Sequence, residues 1–322
     1  MDIAIPRSAG TDRMWQGVAC GMAAEALWGL VFLAPELARA FTPLELAIGR
    51  YLAYGLLSAA LIAPRWRAVA LMLSASDWLS LVWLAVAGNT LYYVLLSSAV
   101  QLGGVTMTSL VIGFLPVLVT IIGSRERQAV PLRTLAPSLA LCIAGAVCIG
   151  WQAIAKPITG SGGASLVGLL CAIGALLSWT AFAVSNNRCL ARLDRVSVHD
   201  WSLLTGLMTG AQALMLVPVA MAFGMLRHDS SSWLLFGSIS MAIALFASIL
   251  GNALWNRMSR LLPLTLSGQM ILFETLFAML YGLLWEQRLP TPLEIAAFTL
   301  LFMGVTSCLA VHRRPVGAMG AG

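Results

Sequence analysis

Residues Gly17-Val18-Ala19-Cys20-Gly21-Met22-Ala23-Ala24-Glu25-Ala26-Leu27-Trp28 decide the fold, because the chain writes them twice. At an offset of 151 positions, Gly17, Cys20, Ala24 and Trp28 return as Gly168, Cys171, Ala175 and Trp179. Further along the offset becomes 159, and Thr106, Phe114, Pro131, Leu141 and Gly145 match Thr265, Phe273, Pro290, Leu300 and Gly304. Both copies of the quoted stretch lie in apolar runs, so the repeated unit is a set of membrane spans. If each unit holds an odd number of spans, the two copies must stand upside down relative to each other. Inverted repeats of this kind are the frame of many secondary transporters, with substrate held near the bilayer midplane where the repeats meet.

The composition agrees with a membrane frame. The chain is 60% hydrophobic and 10% charged, against roughly 25% charged residues in a soluble domain. A bilayer core takes about 20 apolar residues per helical span. Ten stretches qualify: 14–34, 44–63, 77–100, 104–123, 133–152, 165–190, 198–223, 233–259, 262–284 and 291–311. They are too long for strands and show no sustained alternation. The expected fold is an all-α membrane protein, ten transmembrane helices as two inverted five-helix repeats around a central cavity. Residues 1–155 form the first repeat, 156–164 a Gly/Ser-containing linker, and 165–322 the second repeat.

Charge placement tests the span count independently. With the N-terminus inside, fourteen arginines fall on inner segments (Arg7, Arg13, Arg65, Arg67, Arg125, Arg127, Arg133, Arg188, Arg192, Arg195, Arg257, Arg260, Arg313 and Arg314). Only Arg39, Lys156, Arg227 and Arg288 fall outside, and Arg50 lies within the second span. The positive-inside rule therefore places both termini in the cytoplasm. The net charge of +6 follows from arginines beside anionic lipid, so no nucleic-acid partner is expected. The first run carries Glu25 and is followed by nine others, which marks an uncleaved span rather than a leader.

Catalytic and metal signatures do not stand out. His199, His228 and His312 fall in connectors or at span ends, and no HExxH, P-loop or nucleophile-elbow pattern occurs. The six cysteines (Cys20, Cys142, Cys148, Cys171, Cys189, Cys308) have no metal-ligand spacing and read as small packing residues. The expectation is a chain that is not an enzyme and needs no cofactor or metal. Transport would run on gradients or exchange.

Polar groups inside the spans carry the functional argument. An ionisable side chain at mid-bilayer costs roughly 3 kcal/mol or more unless sheltered, so each one is a functional candidate. Glu25 and Glu274 both lie about 18 Å along their helices, close to the midplane. Two readings stand for them: lining a hydrated cavity, with a role in coupling or polar-head contact, or satisfying a structural hydrogen-bond network. Neither has an acidic counterpart in the other repeat. Arg50 sits nearer an outer end, where snorkelling or a contact with Glu45 would explain it.

Asn89, Tyr93 and Ser97 share one helix face, and at offset 159 they align with Ser248, Asn252 and Asn256. Tyr92 and Trp255 flank the two stripes. Such stripes either line a shared lumen or hold helices together. Trp28 and Trp179 are repeat partners, and Glu25 stands on the face of Trp28, an acid beside an aromatic shelf. Trp15, Trp66, Trp78, Trp151, Trp201, Trp233 and Trp285 lie near span ends and read as interfacial anchors. Pro116 interrupts the fourth span and is a candidate hinge.

These residues resemble a known family. Ala26-Leu27-Trp28-Gly29, Phe114-Leu115-Pro116, Phe273-Glu274-Thr275 and the acids of Arg125-Glu126 and Trp285-Glu286 are similar to EamA-type members of the drug/metabolite transporter superfamily. Within it the chain looks most like the YddG-type aromatic amino acid exporters of bacterial inner membranes. Thr275 departs from the proline often found after the acid. The resemblance implies spans one, three, four, six, eight and nine around a central cavity, and a small-molecule substrate such as Phe, Tyr or Trp. Trp28, Tyr92, Tyr93, Trp179 and Trp255 would pack on its ring, while Asn89, Asn252, Asn256 and Gln269 would bind its polar head. Two other readings remain: a multidrug or cationic-metabolite exporter working through Glu25 or Glu274, and a non-transporting membrane scaffold. Oligomeric state is not legible in the sequence.

Overall fold

The computed structural model describes residues 7–115, 117–118, 122, 132–155, 162–190, 192, 195–225, 228–261 and 264–312. Among these, all regular structure is helical. The helices are α1 (Arg7–Gly29), α2 (Ala34–Leu37), α3 (Pro43–Ile62), α4 (Trp66–Ala70), α5 (Ala75–Ala85), α6 (Leu91–Gly103) and α7 (Val105–Ile112). They continue with α8 (Leu132–Ala155), α9 (Gly162–Leu190), α10 (Val198–Ala222), α11 (Ser230–Ile243), α12 (Asn252–Leu261), α13 (Leu264–Trp285) and α14 (Pro292–His312). Among the described residues, six helices are long and apolar enough to cross a membrane: Met14–Leu37, Pro43–Ala70, Ala75–Gly103, Gly163–Asn186, Val198–Ala222 and Ser230–Trp255. Shorter apolar helical stretches run over Ala136–Ile149, Phe273–Trp285 and Pro292–Gly304. Pro116, the sequence-based hinge candidate, lies outside the described residues.

Helix starts follow from local chemistry. Thr42 caps α3 and Ser74 caps α5 in reciprocal boxes, each hydroxyl accepting from the N3 backbone while Glu45 or Asp77 reaches back to the cap N–H. Thr291 and Glu294 make the same exchange at α14, at 2.7 and 3.2 Å. Ser197 caps α10 and Asp229 caps α11 through single backbone bonds.

Two π-helical turns interrupt the long helices. Val86–Thr90 joins α5 to α6, and Ala244–Gly251 joins α11 to α12. A π-turn opens the i→i−4 ladder and exposes backbone carbonyls that a neighbouring helix must satisfy. The α9 hydroxyl of Ser178 donates to Ala87 O at 2.7 Å, and the α1 indole of Trp28 donates to Ala247 O at 2.9 Å. Gly251 leaves room for that indole: a Cβ there would stand 2.6 Å from Trp28 Nε1.

Packing pairs the helices across the chain. α3 lies along α10, α6 along α9, and α8 along α14, while α1 packs on α12 and α13. The α7 helix contacts α13 and α9; α11 rests on α3, and α5 on α10. Lipid tails are as apolar as leucine, so close van der Waals fit rather than hydrophobic transfer holds such pairs. Where α3 crosses α10, Gly55 and Gly210 meet backbone to backbone, and a Cβ on either would stand 2.6 Å from the other's Cα.

Two sequence expectations are corrected here. Trp201 is not an interfacial anchor: it is 2% exposed, its indole donating to Asn186 Oδ1 at 2.9 Å. The wrong assignment came from counting position along the span and not the face. Arg50 does not reach Glu45, whose carboxylate is taken by Thr42 and by His228 Nε2 at 2.9 Å. The guanidinium turns inward instead.

Candidate functional site

The inward turn of Arg50 builds a cluster of charge and aromatic rings between α1, α3, α6 and α13. On α3 the guanidinium carbon lies 4.4 Å from the ring centre of Tyr93 and 5.3 Å from that of Tyr51. Such cation–π contacts stabilise by about 2 kcal/mol when desolvated. Tyr51 and Tyr93 meet edge to face at 5.8 Å, and Tyr51 donates to Asn89 O at 3.0 Å. Tyr93 is fixed on α6 by this packing and is 1% exposed. Nε and Nη1 of Arg50 are enclosed and have no hydrogen-bond partner among the described residues.

The acids come from the other side. Glu25 on α1 is fully buried, and neither carboxyl oxygen has a hydrogen-bond partner among the described residues. It lies within electrostatic reach of Glu274 on α13, which in turn lies within electrostatic reach of Arg50 and Tyr92. One helical turn beyond Glu25, the Trp28 ring lies 5.3 Å from that of Trp255, tilted by 34°. Sequence-distant groups from both halves therefore converge on one region.

The other sequence candidates distribute as follows. Asn89 uses its amide N–H to donate to Thr209 Oγ1 at 3.0 Å, which ties α10 to the π-turn. Trp179 packs on Phe182 at 5.7 Å on α9. Asn252 opens α12 directly after the second π-turn. The side chains of Asn256 and Gln269 lie outside the described residues. Arg50 and Tyr51 were missed as site residues, although an arginine inside an apolar span is itself a signal.

A different polar network closes one end of the bundle. Arg288 donates to Glu294 at 2.7 and 2.6 Å and to Glu286 at 2.7 Å. Glu294 also accepts from Gln152, Thr291 hydrogen-bonds Gln152, and Trp285 donates to Glu36, which pairs with Arg39. The Glu294 hydrogen bonds hold the Arg288 guanidinium above its ordinary range, while burial pushes the Glu286 carboxyl up. A small cleft of about 20 Å³ lies at this end, lined by Met107, Leu110, Ile149, Gln152, Leu293 and Glu294 among others.

Apolar spans, close helix crossings and buried charges at mid-helix are the features of a polytopic membrane transporter. The match to known proteins is specific: a model of the EamA-like transporter family covers residues 15–151. The inner membrane protein YtfF of Escherichia coli (strain K12) is 30% identical over 321 residues, spanning 94% of this chain and 97% of that protein. A solved crystal structure of a protein 19% identical superimposes with a TM-score of 0.58 over 92% of this chain and 98% of its own, which shows a shared fold. The chain belongs to the EamA-like transporter family of the drug/metabolite transporter superfamily.

Proposed function

We propose that the protein is a secondary transporter of the bacterial inner membrane that exports aromatic amino acids and related amphipathic metabolites by alternating access. Its frame would be ten helices in two inverted five-helix repeats, residues 1–155 and 165–322, joined by the linker at 156–164. The paired contacts support that frame. The α1 helix docks on the π-turn Ala244–Gly251 as α9 docks on Val86–Thr90, and these two turns coincide at the repeat offset of 159. Gly145 meets Ala297 O while its repeat partner Gly304 meets Ser138 O, the reciprocal contact. With both termini cytoplasmic, as the arginine distribution predicts, the Arg288 network faces outward.

The observation that carries the substrate assignment is the Trp28–Trp255 pair beside the tyrosine-rich charged cluster. Tyr92, Tyr93, Trp28 and Trp255 would form the walls against a planar ring, with Trp179 entering from the opposite repeat. Asn252, Asn256 and Gln269 remain candidates for polar contacts, whereas the Asn89 amide already serves Thr209. Proteoliposomes carrying the protein should take up labelled Phe, Tyr or Trp above empty vesicles; uptake no higher than in empty vesicles refutes the assignment. The neighbouring carboxylates Glu25 and Glu274 favour one second reading, export of a cationic metabolite. It predicts uptake of amphipathic amines that Glu25→Gln abolishes, with no uptake of amino acids.

A further inference from the structure

The cluster between α1, α3, α6 and α13 contains a guanidinium and a carboxyl with polar atoms unanswered among the described residues, and we propose that they are the two arms of a clamp for a zwitterion. Arg50 receives the substrate carboxylate, and Glu25, with Glu274 behind it, receives the ammonium. The inference rests on the transport reading and assigns the polar-head role to charges that the amide residues were expected to fill.

Both oxygens of Glu25, and Nε and Nη1 of Arg50, are enclosed without a hydrogen-bond partner among the described residues. Taking such groups out of water costs several kcal/mol each unless a partner restores the lost interactions. The chain supplies partners elsewhere without difficulty: Glu294 accepts from two nitrogens of Arg288, the Thr291 N–H and Gln152. An orphaned acid and an orphaned base in one region, linked through Glu274, are complementary to a ligand that carries both opposite charges.

The chemistry of each arm sets the ligand class. A guanidinium presents a planar fork of N–H donors that matches a carboxylate bidentately. The faces of Tyr93 and Tyr51 hold the guanidinium in place and leave Nε and Nη1 to donate to a ligand, each without a hydrogen-bond partner among the described residues. The Glu25 carboxyl suits an ammonium, and a simple carboxylate would bring no group to that arm. A simple amine would meet Arg50. An α-amino acid satisfies both, and the Trp28 ring one turn from Glu25 lies where its side chain would extend.

Three probes of one shape separate the arms: phenylalanine, 3-phenylpropionate (carboxylate only) and phenethylamine (amine only). Binding is read by tryptophan fluorescence on purified protein, and movement by uptake into proteoliposomes. Wild type should bind phenylalanine at least about tenfold more tightly than either analogue, equivalent to about 1.4 kcal/mol. Arg50→Met should reduce phenylalanine affinity to that of phenethylamine, and Glu25→Gln should reduce it to that of 3-phenylpropionate. Arg50→Lys should restore part of the carboxylate preference, which a merely folded-state role would not. Thermal melting of each unliganded variant guards against misfolding. If both charge variants stay folded and keep the wild-type ranking of the three probes, the clamp is overturned. Phenylalanine bound with that ranking but never moved refutes the transport reading and leaves the clamp standing. Neither binding nor movement of any probe overturns both.

Discussion

Glutamates and arginines stand at two depths in this bundle, and the molecule treats them in opposite ways. At one end Arg288 is held by Glu286 and Glu294, and Glu294 is further bonded by Gln152 and Thr291. Between α1, α3, α6 and α13, Arg50 leans on tyrosine rings and Glu25 has no hydrogen-bond partner among the described residues. The first arrangement pins together the ends of α8, α13 and α14, while a chain through Glu36 and Trp285 adds the segment after α1. The second leaves the Glu25 carboxyl and two Arg50 nitrogens without a hydrogen-bond partner among the described residues. Charge that is fully answered within the protein holds the structure. Charge left unanswered marks a place where something else supplies the answer.

The widest break in that comparison comes from removing each arginine in turn. Arg288→Met leaves Glu294 buried with its charge uncompensated, and should cost about 3 kcal/mol or more of stability. Arg50→Met removes two tyrosine-ring contacts and the interaction with Glu274, so it should lower the thermal midpoint in detergent, but by less than Arg288→Met does. Uptake of labelled phenylalanine should fall to background in this variant. Equal destabilisation by the two substitutions would erase the distinction between the end network and the mid-membrane cluster.

Next in size is the crossing of α3 and α10, on which the position of Arg50 depends. Gly210→Leu would drive a side chain against the Gly55 backbone, where a Cβ alone stands 2.6 Å from a Cα. Overpacking of this kind costs about 1–3 kcal/mol. The melting temperature should drop, and phenylalanine binding with it, because α3 carries Arg50 and Tyr51. Retained binding with lowered stability would separate the site from the crossing.

A smaller effect is expected at the first π-docking contact. Trp28→Phe keeps a ring beside Trp255 but removes the N–H that satisfies Ala247 O. Interhelical bonds in membranes average about 0.6 kcal/mol, so stability should change by roughly that much. Aromatic substrate affinity should change less than in Arg50→Met. A large loss of uptake without loss of stability would give the Trp28 indole a direct role with substrate.

The apolar runs were legible because each depends on neighbours in sequence, and among the described residues six helices are long and apolar enough to cross a membrane. The Trp28 position was also legible as special, since it repeats at Trp179. The direction of Arg50 was not. A long flexible side chain near a span end can snorkel outward or turn inward, and the choice depends on Tyr93, 43 residues away. Asn89 likewise read as lumen-facing until Thr209, on α10, took its amide. The π-turns left no local signal, because they arise where α1 and α9 offer donors to carbonyls on other helices.

The comparison also predicts where a charge should not matter. Asp229 is exposed and fully answered: it caps α11 through the Ser232 N–H, and its carboxylate accepts from the Ser231 and Ser232 hydroxyls. Those hydroxyl bonds hold its carboxyl well below the usual range. A depressed folded-state value means that the cap contribution is fully present above the ordinary Asp value of about 3.9 and is lost only as pH falls through the lower one. Between pH 5 and 8 the group stays ionised in both states, so it adds no slope to stability there. Asp229→Asn keeps an acceptor for the Ser232 N–H and should melt within error of wild type, with unchanged phenylalanine uptake. A clear loss of stability in this variant would mean that exposure does not discount a satisfied charge here. The contrast between the two depths would then have to rest on burial alone, with hydrogen-bond satisfaction removed as a criterion for finding the site.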